Sequence, residues 1–225
     1  MGPMLPSQTV ENYLKTIYLA QSALVDANAL VPMGQLASAI GVVPGTATTM
    51  VKTLAESGLA RYEPYMGVRL TDAGERLASR VLRRHRLVEL FLVRMLGMSW
   101  ADVHEEAERL EHAVSDRLIE RMNDMLGHPE VDPHGDPIPT AEGTIARPDY
   151  RDLTTAPLGT PLVIARVLDQ ASDFLHFVEQ RHLVPGTEIV IDGRDPVADA
   201  VQVRSASGSI TTIGMRAASK LLVKG

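Results

Sequence analysis

The segment 104–112 carries two histidines and several carboxylates at helical spacing. At about 100° per residue, four of these side chains fall within an arc of roughly 100° on one helix face. They are His104, Glu108, Glu111 and His112. Imidazole and carboxylate groups that converge in this way are typical ligands of a divalent transition metal. For this helix alone, a solvated acidic face with incidental histidines is the alternative interpretation.

A second pair of an acid and a histidine lies on the preceding predicted helix, where His85 and Glu89 are four residues apart. Residues at i and i+4 share one helix face. Two helices that each carry an acid and a histidine on one face predict a metal site between helices.

Length and composition favour a cytoplasmic protein of several small domains. The chain has 225 residues, of which 45% are hydrophobic, and this is enough for two or three cores. Cys is absent, so the sequence offers neither a disulfide framework nor a thiolate ligand. No apolar run approaches the length of a membrane span, and the first residues lack the pattern of a signal peptide. We therefore expect no membrane association.

The charge is segregated along the chain, although the formal net charge is only −6. Residues 1–100 carry a net charge of +3, residues 101–150 a net charge of −9, and residues 151–225 none. A mildly basic first part suits an anionic partner, and an acidic second part suits a cation.

Residues 33–52 match a helix-turn-helix motif, in which Ala37 is small where the helices cross and Gly41 supplies a turn. A two-stranded wing is predicted to follow, with Arg61 and Arg69 available for contacts with the DNA backbone. Small hydroxyl side chains permit close approach to a major groove, and a lysine can reach a phosphate. The second helix offers Pro44, Gly45, Thr46, Thr48, Thr49 and Lys52 for these contacts. Winged helices also bind proteins, so the motif alone leaves that alternative open.

Hydrophobic periodicity divides the rest of the chain into helices followed by a β-rich tail. The predicted helices cover residues 9–22, 32–40, 44–57, 71–96, 100–113 and 115–126. The wing strands cover 59–64 and 68–70, and the tail has strands at 161–167, 188–191, 200–204 and 209–213 with a helix at 173–180. The predicted domains are residues 1–74, 75–140 and 155–225, with a linker at 141–154.

Four sequence segments in this order resemble the diphtheria-toxin-repressor family of metal-dependent regulators, which includes the iron-dependent and manganese transport regulators. The segments are residues 9–18 (TVENYLKTIY), 84–89 (RHRLVE), 103–112 (VHEEAERLEH) and 134–139 (HGDPIP). The resemblance covers essentially the whole chain. It implies a mainly α fold with a β-rich tail: a winged helix-turn-helix domain, a helical dimerisation and metal-binding domain, and a small SH3-like, FeoA-like barrel.

The resemblance also implies two metal sites per subunit. The primary site would use Asn12, Glu108, Glu111 and His112. The ancillary site would use His85, Glu89 and His104, and in the longer family members the tail adds two side chains at i and i+3. Gln170 and Asp173 occupy those positions in this sequence.

Two departures from the family bear on the metal. Iron-type members have Met where this chain has Asn12 and Cys where it has Glu108. Manganese-type members have an acidic residue in place of Asn12 and another in place of Lys15, while Glu108 matches them. A ligand set made only of nitrogen and oxygen atoms favours Mn²⁺ over Fe²⁺, with Fe²⁺ as the alternative.

The sequence therefore predicts a metal-dependent transcriptional regulator that binds operator DNA as a homodimer and controls genes of metal-ion homeostasis. We expect neither enzymatic activity nor a small-molecule substrate. A carboxylate-bridged dimetal enzyme would use similar ligands, but it does not explain the helix-turn-helix. An adaptor whose tail binds a Pro-rich segment explains neither ligand set. Seven apolar residues of the helical domain are expected to form dimer contacts, with ordinary core packing as the alternative interpretation. They are Leu87, Leu90, Phe91, Met95, Leu118, Ile119 and Met122.

Overall fold

A computed structural model of the chain describes residues 7–24, 26 and 28–225. The chain forms two compact units. The first comprises Met1–His85 with Pro139–Ile145, and the second comprises Arg86–Ile138 with Ala146–Gly225.

The first unit contains a winged helix-turn-helix, as the sequence predicts. The hydroxyl of Ser7 caps its first helix by accepting a hydrogen bond from the backbone N–H of Val10 at 3.4 Å. Gly41 ends the second helix with a φ of 75°, which glycine adopts without steric cost. Pro44 opens the third helix, where its missing N–H removes no intrahelical bond. The elements are α1 (Gln8–Ser22), α2 (Met33–Ile40), α3 (Pro44–Glu56), β1 (Ala60–Glu63), β2 (Gly67–Leu70) and the first part of α4 (Asp72–Leu96).

One apolar core holds these elements together. Leu36 of α2 and Val51 and Leu54 of α3 are fully buried against Leu14 and Ile17 of α1. Burial of each such side chain contributes roughly 1.5–3 kcal/mol. The helical spacing of these residues in the sequence therefore corresponds to helix faces that are buried in the structure.

The helical part of the second unit consists of the rest of α4, with α5 (Val103–Leu110) and α6 (Asp116–Met125). Helix α5 is shorter than the predicted 100–113. It ends because the backbone N–H groups of Ala113 and Val114 both bond to the carbonyl oxygen of Leu110, which closes the helix in a tight turn. Buried residues of all three helices, including Leu87, Val103 and Ile119, form one core.

The tail of the second unit is a six-stranded antiparallel sheet, in agreement with the predicted β-rich module. Its elements are β3 (Arg151–Asp152), β4 (Pro161–Val167), α7 (Ser172–Gln180), β5 (Glu188–Asp195), β6 (Ala200–Ser205), β7 (Ile210–Gly214), α8 (Met215–Ala218) and β8 (Leu221–Lys224). The strand order is β3-β8-β4-β5-β6-β7.

Three tail elements, β3, α8 and β8, are absent from the sequence-based prediction. Strand β8 is an interior strand that lies between β3 and β4, yet its four residues are too few to show a period of two. Strand β3 falls within the predicted linker, where it pairs with β8.

Within the part of the chain that the structure describes, no helix is both long and apolar enough to span a membrane.

Candidate functional site

The end of α5 brings two carboxylates and an imidazole together. The ligand atoms of Glu108, Glu111 and His112 all lie within 4.8 Å of one another. Glu111 is fully buried, and its Oε1 lies 3.2 Å from Nε2 of His112. Glu108 lies in the last turn of α5, and Glu111 and His112 directly follow its last residue, so the end of this helix presents the three groups as one cluster. This geometry suits a divalent cation with nitrogen and oxygen ligands.

A second contact joins α4 to α5. Nδ1 of His104 lies 3.0 Å from Oε1 of Glu89, and Nε2 of the same ring lies 3.7 Å from Oε1 of Glu108. The Glu89 side chain is buried, whereas that of His104 is about half exposed. The structure thus brings Glu89, His104 and Glu108 together within the second unit.

Two further predicted ligands belong to the first unit. His85 is buried on α4, one turn before Glu89 along the same helix. Asn12 lies on α1, and its side-chain oxygen Oδ1 is buried without a hydrogen-bond partner among the described residues. A buried carbonyl oxygen without a donor is costly, and a metal ion would satisfy it. This observation fits Asn12 as a metal ligand.

A third cluster, which sequence reasoning missed, surrounds His134. Nδ1 of His134 lies 4.0 Å from Oε2 of Glu89 and 3.9 Å from Oδ1 of Asp132, and all three side chains are buried. Nε2 of His134 lies 2.8 Å from the carbonyl oxygen of Trp100. Because a carbonyl oxygen only accepts hydrogen bonds, Nε2 donates its proton to Trp100, and Nδ1 is the ring nitrogen that faces the two acidic side chains. Among the described residues Nδ1 has no hydrogen-bond partner.

The loop that carries His134 is held by Asp132 and Arg86. Oδ1 of Asp132 accepts hydrogen bonds from the backbone N–H groups of His134 at 2.8 Å and Asp136 at 2.9 Å. Nε of Arg86 lies 3.6 Å from the other oxygen of Asp132. Burial, together with the charges of Asp136 and Glu89, raises the pKa of Asp132 well above its usual range. The sequence signal was present, since this acid stands two residues before the HGDPIP segment.

The two tail residues predicted as ligands lie in different surroundings. Nε2 of Gln170 donates a hydrogen bond to Oδ2 of Asp136 at 2.6 Å. Asp173 is exposed at the start of α7, and no cluster of potential metal ligands among the described residues includes it. Gln170 therefore connects the tail to the loop of His134 within the second unit.

Helix α3, the second helix of the helix-turn-helix, exposes most of the residues that were predicted to contact DNA. Pro44, Gly45, Thr46, Thr49 and Lys52 are exposed. Thr48 is half-buried, and the hydroxyls of Thr48 and Thr49 donate hydrogen bonds to the carbonyl oxygens of Pro44 at 2.8 Å and Gly45 at 3.1 Å. These hydroxyl oxygens can still accept hydrogen bonds from a ligand.

The two wing arginines differ in their surroundings. Arg61 is exposed. The guanidinium of Arg69 donates to the carbonyl oxygen of Ala29 at 3.3 Å and lies 3.7 Å from a carboxylate oxygen of Glu75. Arg69 thus anchors the wing to the body of the first unit, and its predicted phosphate contact remains a prediction.

Models of three protein families together match nearly the whole chain. The N-terminal DNA-binding domain of the iron-dependent repressors matches residues 6–68. Their metal-binding and dimerisation domain matches residues 71–140, and the FeoA domain matches residues 151–225.

Individual relatives agree with the family models. The iron-dependent repressor IdeR of Mycobacterium tuberculosis is 30% identical over 197 residues, which cover 82% of this chain and 84% of IdeR. The transcriptional regulator MntR of Lysinibacillus sphaericus is 33% identical over 129 residues, or 57% of this chain and 89% of MntR.

Solved structures of repressors share the fold. A manganese-dependent transcriptional repressor in complex with manganese has a TM-score of 0.87 and 39% identity, covering 96% of this chain and 99% of that one. The structure of ScaR with bound Zn²⁺ has a TM-score of 0.76 and 31% identity, covering 97% and 99%. These relatives are transcriptional repressors, so the dimetal-enzyme alternative is not favoured. The chain belongs to the diphtheria-toxin-repressor family of metal-dependent transcriptional repressors.

Proposed function

We propose that the protein is a manganese-responsive repressor that binds operator DNA as a homodimer and controls genes of metal-ion homeostasis. The observation that carries this proposal is the cluster of Glu108, Glu111 and His112, whose ligand atoms lie within 4.8 Å of one another. The cluster contains only oxygen and nitrogen donors, and the chain has no cysteine. Hard oxygen ligands suit Mn²⁺ better than a thiolate set would.

The proposed primary site consists of Glu108, Glu111 and His112, with Asn12 as a fourth ligand. The side-chain oxygen of Asn12 is buried without a hydrogen-bond partner among the described residues, and this supports Asn12 as a ligand. Since α1 belongs to the DNA-binding unit, a metal ion that binds Asn12 favours one arrangement of that unit over others. Metal binding and DNA binding are then linked, and each strengthens the other.

We propose that a second metal position uses Glu89, for which the chain offers two sets of partners. The family pattern pairs Glu89 with His85 and His104, and adds Gln170 and Asp173 from the tail. The buried Nδ1 of His134, which lies about 4 Å from both acids, favours a set made of Glu89, Asp132 and His134. We favour the buried set, because a metal ion would offset the cost of burying two acidic side chains beside a ring nitrogen that has no hydrogen-bond partner among the described residues.

The helical domain supplies the proposed dimer interface. Of the apolar residues predicted there, Met95 and Leu118 are nearly half exposed. Leu87, Leu90 and Ile119 are instead buried in the core of their own unit. Exposed apolar side chains on a helical domain are typical of association surfaces. A two-fold dimer would present two α3 helices about one DNA turn, ~34 Å, or a multiple apart.

Manganese binding to a matched pair of variants tests the proposal. Electron paramagnetic resonance follows the loss of the free Mn²⁺ signal as protein is added. We expect Glu108→Ala to weaken binding at the primary site by at least 10–100-fold, the range found for groups that merely support a ligand. Glu105→Ala is the control, because Glu105 is an exposed acid on the same helix.

Equal Mn²⁺ affinity in the Glu108 and Glu105 variants would contradict the site. Anaerobic competition with Fe²⁺, read out by operator binding, tests the choice of metal. If Fe²⁺ activates DNA binding at lower free concentration than Mn²⁺, the assignment to manganese is wrong although the fold and the repressor function stand.

A further inference from the structure

The wing formed by β1 and β2 is fixed rigidly to the DNA-binding unit at its base. Val31 and Val68 form an antiparallel bridge, with N–H to O distances of 2.8 and 3.0 Å in the two directions. Gly67 has a φ of 145°, and a Cβ atom there would lie 2.4 Å from the carbonyl oxygen of Val31. Only glycine permits this close approach. The base therefore holds the hairpin in one orientation.

The tip of the wing carries a tyrosine in an unfavourable conformation. Tyr65 has a φ of 65°, in the left-handed region that residues other than glycine and asparagine rarely adopt. Its side chain is fully exposed, and that of the adjacent Met66 is about two-thirds exposed. Glycine or asparagine would form this turn with less strain. Neither packing nor turn chemistry explains an aromatic residue at this position.

Cationic groups lie on the same hairpin. Arg61 and Arg69 are directly opposite each other in the β1–β2 register, so both side chains leave the same face of the wing. Like charges in directly opposite positions destabilise a hairpin. The carboxylate of Glu75 offsets only Arg69, at 3.7 Å. An anionic partner on this face would offset the remaining repulsion.

We propose that Tyr65 is a DNA contact separate from α3, in which its ring packs on the sugars at the edge of the minor groove and its hydroxyl donates to a phosphate. Tyrosine hydroxyls commonly bind phosphate oxygens, and exposed apolar side chains commonly pack in minor grooves. The partner is duplex DNA because the wing directly follows α3 and carries arginines on one face. This inference rests on the DNA-binding function proposed above.

Such a contact adds affinity without reading the base sequence. It also accounts for the strained backbone, because strain that persists at an exposed position commonly serves a functional contact. Replacement of Tyr65 by glycine should therefore keep or raise the stability of the fold while it weakens DNA binding.

Tyr65→Gly is the decisive variant, measured with Mn²⁺-loaded protein and a duplex selected by the wild-type protein from random sequences. We expect its thermal midpoint to equal or exceed that of the wild type, because glycine relieves the strain. We expect its DNA affinity to fall about 5–20-fold with an unchanged salt slope, since sugar packing and one neutral hydrogen bond are lost but no charge is. Tyr65→Phe should lose only the part of the DNA affinity that the hydroxyl contributes. Val197→Gly, at an almost fully exposed position in the tail, is the control.

Wild-type affinity in Tyr65→Gly would overturn the proposal and leave the exposed tip available for a protein partner instead. A lowered thermal midpoint together with weaker binding would also overturn it, because Tyr65 would then act in the fold. Failure of the wild-type protein to bind any duplex in the presence of metal would instead refute the DNA-binding function, so the two failures are distinguishable.

Discussion

His134 donates its Nε2 proton to the carbonyl oxygen of Trp100 at 2.8 Å, and this bond fixes the direction of its other ring nitrogen. Nδ1 faces Glu89 at 4.0 Å and Asp132 at 3.9 Å. These separations are too long for hydrogen bonds, and the ligand atoms of the three side chains all lie within 4.8 Å of one another. The ring of Trp100, whose centroid is 5.5 Å from that of His134, packs beside this imidazole.

Calorimetric titration with Mn²⁺ distinguishes the two sets of partners proposed for Glu89. We expect His134→Gln to lose the second class of binding sites, because the buried set loses its nitrogen ligand. His104→Gln and Asp173→Ala should retain both classes of sites. The opposite result, with loss in His104→Gln or Asp173→Ala but not in His134→Gln, would favour the set predicted from the family pattern.

Arg86 is expected to be essential for the stability of the second unit. Its guanidinium donates to the carbonyl oxygen of Pro137 and lies 3.6 Å from Asp132 and 3.8 Å from Asp136. Arg86→Met leaves buried carboxylates without this cation, which typically costs about 3–5 kcal/mol. Chemical denaturation of the metal-free protein measures this loss. Arg94→Met, at an exposed position on the same helix, is the control, and an equal effect of both changes would contradict the buried network.

Lys52 is exposed on α3 and should bind a DNA phosphate. Lys52→Ala should weaken binding to different duplexes to a similar extent, and should lower the salt slope by about 1, as expected for one lost phosphate contact. Anisotropy titrations at several salt concentrations measure the slope. Lys224→Ala removes an exposed lysine of the tail and should have no effect. A changed sequence preference with an unchanged slope would mean that α3 is oriented differently.

Much of the fold follows from local patterns in the sequence. The apolar spacing of Leu14 and Ile17, the turn at Gly41 and the proline at position 44 all predict the helices that are observed. Strand β8 is different, because its place between β3 and β4 depends on pairing with residues about 60 and 70 positions away. Pairing over such distances leaves no periodic signal in four residues.

In the candidate site, too, local spacing predicts some contacts, whereas others depend on tertiary structure. The helical spacing of His104 and Glu108 predicts their proximity within one element. The approach of His134 to Glu89 depends instead on a loop fixed by Asp132 and Arg86, and loop geometry of this kind has no helical or strand period. The role of Arg69 as an anchor likewise depends on a tertiary contact with Ala29.

The most direct test of the account is the metal dependence of DNA binding. Anisotropy of a labelled duplex, selected from random sequences by the Mn²⁺-loaded protein, is measured in Mn²⁺ and again in a chelator. We expect the affinity to be roughly 5–150-fold higher with Mn²⁺, the usual range of coupling between two sites. Glu108→Ala should lose this difference and Glu105→Ala should keep it. Equal affinity of the wild-type protein with metal and with chelator would contradict the proposed mechanism.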